Sequence, residues 1–286
     1  MKTDPKFSGR QQGFTLVEIA IVLLIVTILL GYSVAMFPLQ QELKQYRQLE
    51  QEMDEIVEHM IGFAQVNGRL PCPDTNGDIN STTTIGVIDG QEDFDDLDDN
   101  VDTDLGGADG LVDSCKAFAG FLPAGTLGMN GDIDANGRLL DPWGQPYRYH
   151  VAGVETDNDA DATTFFGIDL VTPNGIRQEG LANVAPNLVI CRASSNPSAA
   201  DTACPVAADT IVSDAAVVIV SSGKDTGSIG SSIQNENRDD FHNGVNDLVY
   251  VASTRSDQAG SEYDDSVRWI SRNLLYSRMI EAEQLP

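Results

Sequence analysis

GFTLVEIAIVLLIVTILLGYSVAMF, Gly13 to Phe37, decides how the rest of this 286-residue chain is read. After Gly13 only Glu18 carries a charge. At about 1.5 Å per residue, Phe14–Phe37 makes a helix of roughly 36 Å, enough for a hydrocarbon core of about 30 Å. Lys2, Lys6 and Arg10 against Asp4 leave residues 1–13 net positive. A basic flank on the N-terminal side keeps that flank in the cytoplasm and exports the chain beyond the apolar run.

The helical pattern continues past the apolar run. Leu39, Leu43, Tyr46, Leu49, Met53, Ile56, Met60 and Ala64 recur at three- and four-residue steps among Gln, Glu, Lys and Arg. That is one apolar stripe on a polar rod. Pro38 removes a backbone donor at the junction, so a kink or melt is expected there. Residues 14–37 read as a membrane half and 38–67 as an amphipathic half, the spine of a soluble domain.

Glu18 does not suit an ordinary anchor. A carboxylate inside an apolar span costs about 2.5–3.5 kcal/mol on insertion scales. The run holds no Lys, Arg or His, so a partner from elsewhere is expected.

Gly13-Phe14-Thr15-Leu16-Val17-Glu18 resembles the cleavage and methylation motif of type IV prepilins and type II secretion pseudopilins. The resemblance implies cleavage by a prepilin peptidase between Gly13 and Phe14 and N-methylation of Phe14. It also implies that Glu18 pairs with the N-terminal amine of a neighbouring subunit, which would set axial register in a low dielectric. Expected partners are other pilin or pseudopilin subunits and an inner-membrane assembly platform. The expected location is the bacterial inner membrane, single-pass with the N-terminus in the cytoplasm, and then the filament. A plain signal anchor would explain the apolar run but neither Glu18 nor the motif, and a signal peptide cut after Ser33 and Ala35 would have an apolar region longer than the usual span of about 7–15 residues.

After Gly68 the texture changes to short β-branched runs broken by Gly, Pro, Asn and Asp. Strands are expected at 147–151, 164–170, 187–190, 215–220 and 247–252. A last helix is expected over 264–281, capped by Asp264, Asp265 or Ser266. Helix, sheet, helix is an α+β order. With the resemblance it implies a pilin-like fold: a long N-terminal helix on an antiparallel β-sheet domain spanning 68–286, closed by a C-terminal helix. Asp141-Pro142-Trp143-Gly144-Gln145-Pro146-Tyr147-Arg148-Tyr149 resembles a segment of major pseudopilins. As residues it is a turn with a positive φ at Gly144, then the start of a strand, with Trp143 expected in the core against the long helix. The family leads one to expect a minor or tip-proximal subunit from the length of the mature chain.

The net charge of −27, with 17 Lys and Arg against 44 Asp and Glu, argues against nucleic acid. Cys72, Cys115, Cys191 and Cys204 form no C-x-x-C pair and allow three disulfide pairings. Cys72–Cys115 with Cys191–Cys204 is the expectation, each bridge stapling a loop, in an oxidising compartment.

Residues 74–113 hold many acids and no Lys or Arg. Such a loop is either solvated or binds cations, and Ca²⁺ suits carboxylates on a flexible loop. Asp132, Asp134 and Asn136 followed by Gly137 match the opening of an EF-hand-like loop, but its twelfth position is Trp143 rather than the closing Glu. Asp74-x-Asn76-x-Asp78 and Asp157-x-Asp159-x-Asp161 alternate in the same way. A filament-borne module that binds Ca²⁺ or a surface is the alternative function. His59, His150 and His242 lack metal-ligand spacing, and no phosphate loop or G-x-S-x-G elbow occurs. No catalytic residue and no further cofactor is expected.

Overall fold

A computed structural model describes residues 15–75, 89–95, 114–115, 117–153, 170–177, 184, 186–193, 197, 202–224, 232–239, 248–256 and 262–285, the side chains of 32–39, 95, 114, 232 and 239 excepted. The chain forms two compact units, Met1–Arg47 and Gln48–Pro286, and the second holds the sheet and the core.

Helix α1 (Leu16–Asn67) is continuous in its backbone, so the melt expected at Pro38 does not occur. In the second unit its apolar stripe is buried as the spacing predicts: Leu49, Met53, Ile56, Met60 and Ala64 are fully covered. Charged residues beside the stripe form a rim of ion pairs. Arg268 meets Glu50 and Asp54, and Arg278 meets Glu58 at 2.8 Å. These pairs are solvent-exposed and contribute register more than stability.

The end of α1 is built from three parts. Gly68 has φ +68°, the left-handed conformation that closes helices, and its N–H bonds Ala64 C=O at 2.8 Å. The last turn of α1 holds no basic residue. Arg177 supplies the missing cation, donating to the C=O groups of Gln65 and Val66 at 2.8 and 3.0 Å. Arg69 then turns inward and forms a bidentate pair with Glu92 at 2.7 Å, stacked between Phe63 and Phe94.

Among the described residues eight strands follow: β1 (Phe94–Asp95), β2 (Ser114–Cys115), β3 (Ala119–Phe121), β4 (Arg148–Val151), β5 (Leu188–Arg192), β6 (Thr210–Ser221), β7 (Val249–Ala252) and β8 (Ser266–Ser271). β1 and β2 form a two-stranded sheet, while the main sheet runs β3-β4-β6-β5-β7 with β8 also on β6. β6 is the central strand, and its residues from Ala215 to Ser221 are buried without a break. The fold is α+β with an N-terminal helix, as expected. The sheet is mixed rather than antiparallel, because β5 and β7 are parallel. Helix α2 (Ser232–Asp239) lies on the chain between β6 and β7; a parallel pair needs such a crossover instead of a tight turn.

The expected strands at 147–151, 187–190, 215–220 and 247–252 have counterparts in β4 to β7, while 164–169 lies outside the described residues. The closing segment differs from expectation. Ser266–Ser271 is strand β8, and only Arg272–Glu281 is helix (α3). Val267 and Ile270 are β-branched and find a vacant edge on β6, so tertiary pairing overrides the helical reading. The helix cap is Ser271, whose hydroxyl accepts the Leu274 N–H at 3.3 Å. Asp264 and Asp265 serve elsewhere.

The Asp141–Tyr149 string is the joint between helix and sheet. Asp141 Oδ1 accepts the N–H groups of Trp143 and Gln145, both at 2.9 Å, and Oδ2 accepts the Ser221 hydroxyl at 2.7 Å. Burial pushes the Asp141 carboxyl up, against the pull of those bonds. Trp143 is only half-buried, contrary to the core position expected of it. The buried aromatics are Tyr147, whose hydroxyl donates to Glu52 at 2.7 Å, and Tyr149, which donates to Pro71 C=O at 2.8 Å. Tyr147→Phe should cost about 1.5–3 kcal/mol, the value of a hydrogen bond to a charged group. Urea unfolding checks this, and a loss below about 0.5 kcal/mol would show that the bond does not hold α1 on the sheet.

Both expected cysteine pairs are bonded, Cys72 to Cys115 and Cys191 to Cys204, with no free cysteine among the described residues. Cys191 and Cys204 pack with Val189 and Val249.

Candidate assembly site

Gly13 and Phe14 lie outside the described residues; the site begins at Thr15. Thr15 and Glu18 close a reciprocal cap on α1. The Glu18 N–H donates to Thr15 Oγ1 at 3.3 Å, and Glu18 Oε2 accepts from Thr15 N–H at 2.9 Å and from Thr15 Oγ1 at 3.0 Å. Ile19 N–H bonds Thr15 C=O at 3.3 Å, the first turn of the helix. This is a capping box, T-x-x-E, which satisfies two N-terminal donors that a helix leaves open. Glu18 thus has a neutral partner, Thr15, within the chain. The signal was present in the sequence as Thr15-Leu16-Val17-Glu18.

Around Glu18 the helix is apolar on every side and uncovered. Leu16, Val17, Ile19, Ile21, Val22, Leu23, Leu24 and Ile25 are all more than half exposed. A helix that is hydrophobic all round belongs in lipid or among other helices. Among the described residues no helix is long and apolar enough to cross a membrane. Described side chains run from Thr15 to Gly31 and resume at Gln40, so part of the expected 14–37 crossing falls outside them.

The candidate metal loop has another occupant. Asp134 Oδ1 accepts the N–H groups of Asn136 and Arg138 at 2.9 and 3.0 Å, and Oδ2 accepts Arg138 Nε at 2.7 Å. Burial works to raise the Asp134 carboxyl, but the bonds from Arg138 and the backbone outweigh it and hold it low. Asp132 contributes its C=O to Leu140 N–H at 2.8 Å, and Asn136 is exposed. Asp132, Asp134 and Asn136 therefore shape a tight turn, with Gly137 at φ +80°, and a guanidinium sits where Ca²⁺ was expected. Among the described residues no three His, Cys, Asp or Glu side chains are placed to hold a metal. Asn76, Asp78 and the 157–161 string lie outside those residues.

Several buried polar residues carry no mark in the sequence. Asn237 is fully buried and its amide reads the β7 backbone as a strand would, accepting Val251 N–H at 2.7 Å and donating to Val251 C=O at 3.0 Å. It also donates to Asp265 Oδ2 at 3.0 Å. Asp264 accepts from Lys224 N–H at 2.8 Å and from the Gln234 amide. His150 is buried against the Tyr250 hydroxyl at 2.6 Å, and burial pushes it down to about 3. Asp74 has no exposed surface, yet only its Oδ2 is bonded, to Gly90 N–H at 2.8 Å. No periodicity singles out such residues, because their partners are distant in sequence.

A capped apolar helix thus precedes an α+β domain stapled by two disulfides. In agreement, the family model "Prokaryotic N-terminal methylation motif" matches residues 8–33. The chain thus carries the signature of type IV pilin and pseudopilin prepilin-like proteins. No curated protein and no solved structure matches it. The motif points to a structural protein rather than an enzyme, one that is membrane-associated or in a filament, assembled with other pilin subunits.

Proposed function

We propose that this chain is a minor pilin or pseudopilin of a type IV pilus-like or type II secretion filament. A prepilin peptidase cuts between Gly13 and Phe14, and Phe14 is N-methylated. Residues 14–37 hold the subunit in the bacterial inner membrane, with 1–13 in the cytoplasm and 68–286 outside. An assembly platform then lifts it into the filament. The observation that carries this reading is the methylation motif at residues 8–33, which contains Gly13, Phe14 and Glu18.

The capping box gives Glu18 two successive partners. In the single subunit its carboxylate is held by Thr15, which lowers the penalty of placing it in an apolar surround. In the filament the cationic N-terminal amine of a neighbour displaces that bond. A charged pair in a low dielectric outweighs a neutral donor, and it forms only at the correct axial offset.

The test is the N-terminal sequence and intact mass of protein purified from its native membrane. A chain beginning at methylated Phe14 is expected. A chain beginning at Met1 or Met36 would sink the proposal.

A further inference from the structure

Asp265 and Trp269, which assembly through α1 does not use, border a groove of about 500 Å³ in the second unit. Asp265 is 6% exposed and lies in its lining. Its Oδ2 is held by the Asn237 amide, and its Oδ1 has no hydrogen-bond partner among the described residues. The walls include Ile211, Tyr263 and Trp269, with Arg192 exposed at the side. Neither the Trp269 indole N–H nor the Arg192 guanidinium has a hydrogen-bond partner among the described residues.

The charges in this groove decide what fits. Two carboxylates, Asp265 and Glu50, and two guanidiniums, Arg192 and Arg268, line it. It therefore holds as many basic as acidic side chains, on a chain whose net charge is −27. A cationic guest would meet Arg192 and Arg268, and an anionic guest would meet Glu50 and Asp265. A neutral guest meets neither penalty. It must still offer donors to Asp265 and acceptors to Arg192 and the indole, close together. Hydroxyl groups do both at once, and the apolar C–H face of a sugar ring suits Trp269 and Ile211.

We propose that the Asp265–Trp269 groove binds a neutral saccharide unit, a hexose or N-acetylhexosamine. Asp265 Oδ1 accepts from a ring hydroxyl, Arg192 and the Trp269 indole donate to others, and Asn237 orients the carboxylate. This site is independent of α1 processing and would survive a different reading of the N-terminus.

The full-length chain in detergent micelles should be titrated with glucose, galactose and N-acetylglucosamine, following the Trp269 indole ¹H–¹⁵N signal. A Trp143→Phe variant assigns which indole is which. The expected result is a saturable shift with at least one sugar. Asp265→Asn and Arg192→Ala should each weaken it about tenfold, the loss of one charge-assisted bond. Asparagine at 265 can still accept from Asn237, and an unchanged melting temperature verifies that the fold survives. Arg192→Ala, at an exposed position, provides the same test without touching the buried network. No saturable shift from any of the three sugars overturns the proposal, as does equal binding by both variants. A Lys-rich or Glu-rich peptide that shifts Trp269 where sugars do not would assign the groove to a charged protein segment instead.

Discussion

Replacing both Cys72 and Cys115 by serine is expected to cost about 4 kcal/mol, against about 3 kcal/mol for Cys191 with Cys204, by loop-closure entropy. The difference comes from loop length, because the bonded residues are 43 apart in the first pair and 13 in the second. The first bridge also lies where several segments meet. Cys72 N–H bonds Glu92 Oε2 at 2.9 Å, Glu92 holds Arg69, and Cys115 is in β2 against β1. Without the bridge, the long acidic stretch between the two cysteines gains freedom in the unfolded chain. Urea unfolding of the full chain in detergent, with both double variants and wild type, checks the order. Equal losses, or a larger loss for Cys191 with Cys204, would show that local packing rather than chain closure sets the contribution.

Asp74→Asn is expected to stabilise the protein at alkaline pH. Asp74 is fully buried, one of its oxygens lacks a partner, and Asp93 and Asp89 are its charged neighbours. Burial first, then those two charges, pushes its carboxyl up to about 7. With a folded value above the unfolded one, the folded state holds the proton more tightly. The stability from neutral Asp74 is complete below pH 3.8 and is lost as pH rises through about 7. Asparagine keeps the bond to Gly90 N–H and never ionises. At 1.36 kcal/mol per pH unit, the variant should exceed wild type by at most about 4 kcal/mol at pH 8 and match it near pH 3.5. Asp265, also raised to about 7 by burial, acts with the same sign, and His150 with the opposite sign. Because both titrate in either protein, the difference between variant and wild type isolates Asp74. A variant less stable than wild type at pH 8, or a gap that is the same at every pH, counts against an unpaired buried carboxylate.

Much of the first helix was legible because its information is local. Leu49, Met53, Ile56 and Met60 repeat with the helical period, and Gly68 follows the last turn. The candidate assembly site was half legible. The acid at Glu18 stood out, while its T-x-x-E cap was masked by the apolar run, in which a carboxylate calls first for a charged partner. At the Asp132 loop the calcium reading found no support. Spacing matched the opening of an ion-binding loop at Asp132, Asp134 and Asn136, and the guanidinium of Arg138, four residues beyond Asp134, brings the positive charge to Asp134 as an ion pair.

By itself the sequence determined the long helix, the motif at its start, the α+β order and the cysteines available for pairing. Each depends on neighbours within a few residues, where periodicity and motif chemistry act directly. Only the tertiary structure decided that β5 and β7 run parallel, that Ser266–Ser271 is a strand, and that Asn237 holds Asp265 at the wall of a groove. Those outcomes turn on which edge of β6 is vacant and which buried polar atoms lack water. A hydrogen-bonding group taken out of solvent must be matched by whatever the folded chain brings to it, and a partner tens of residues away leaves no local trace.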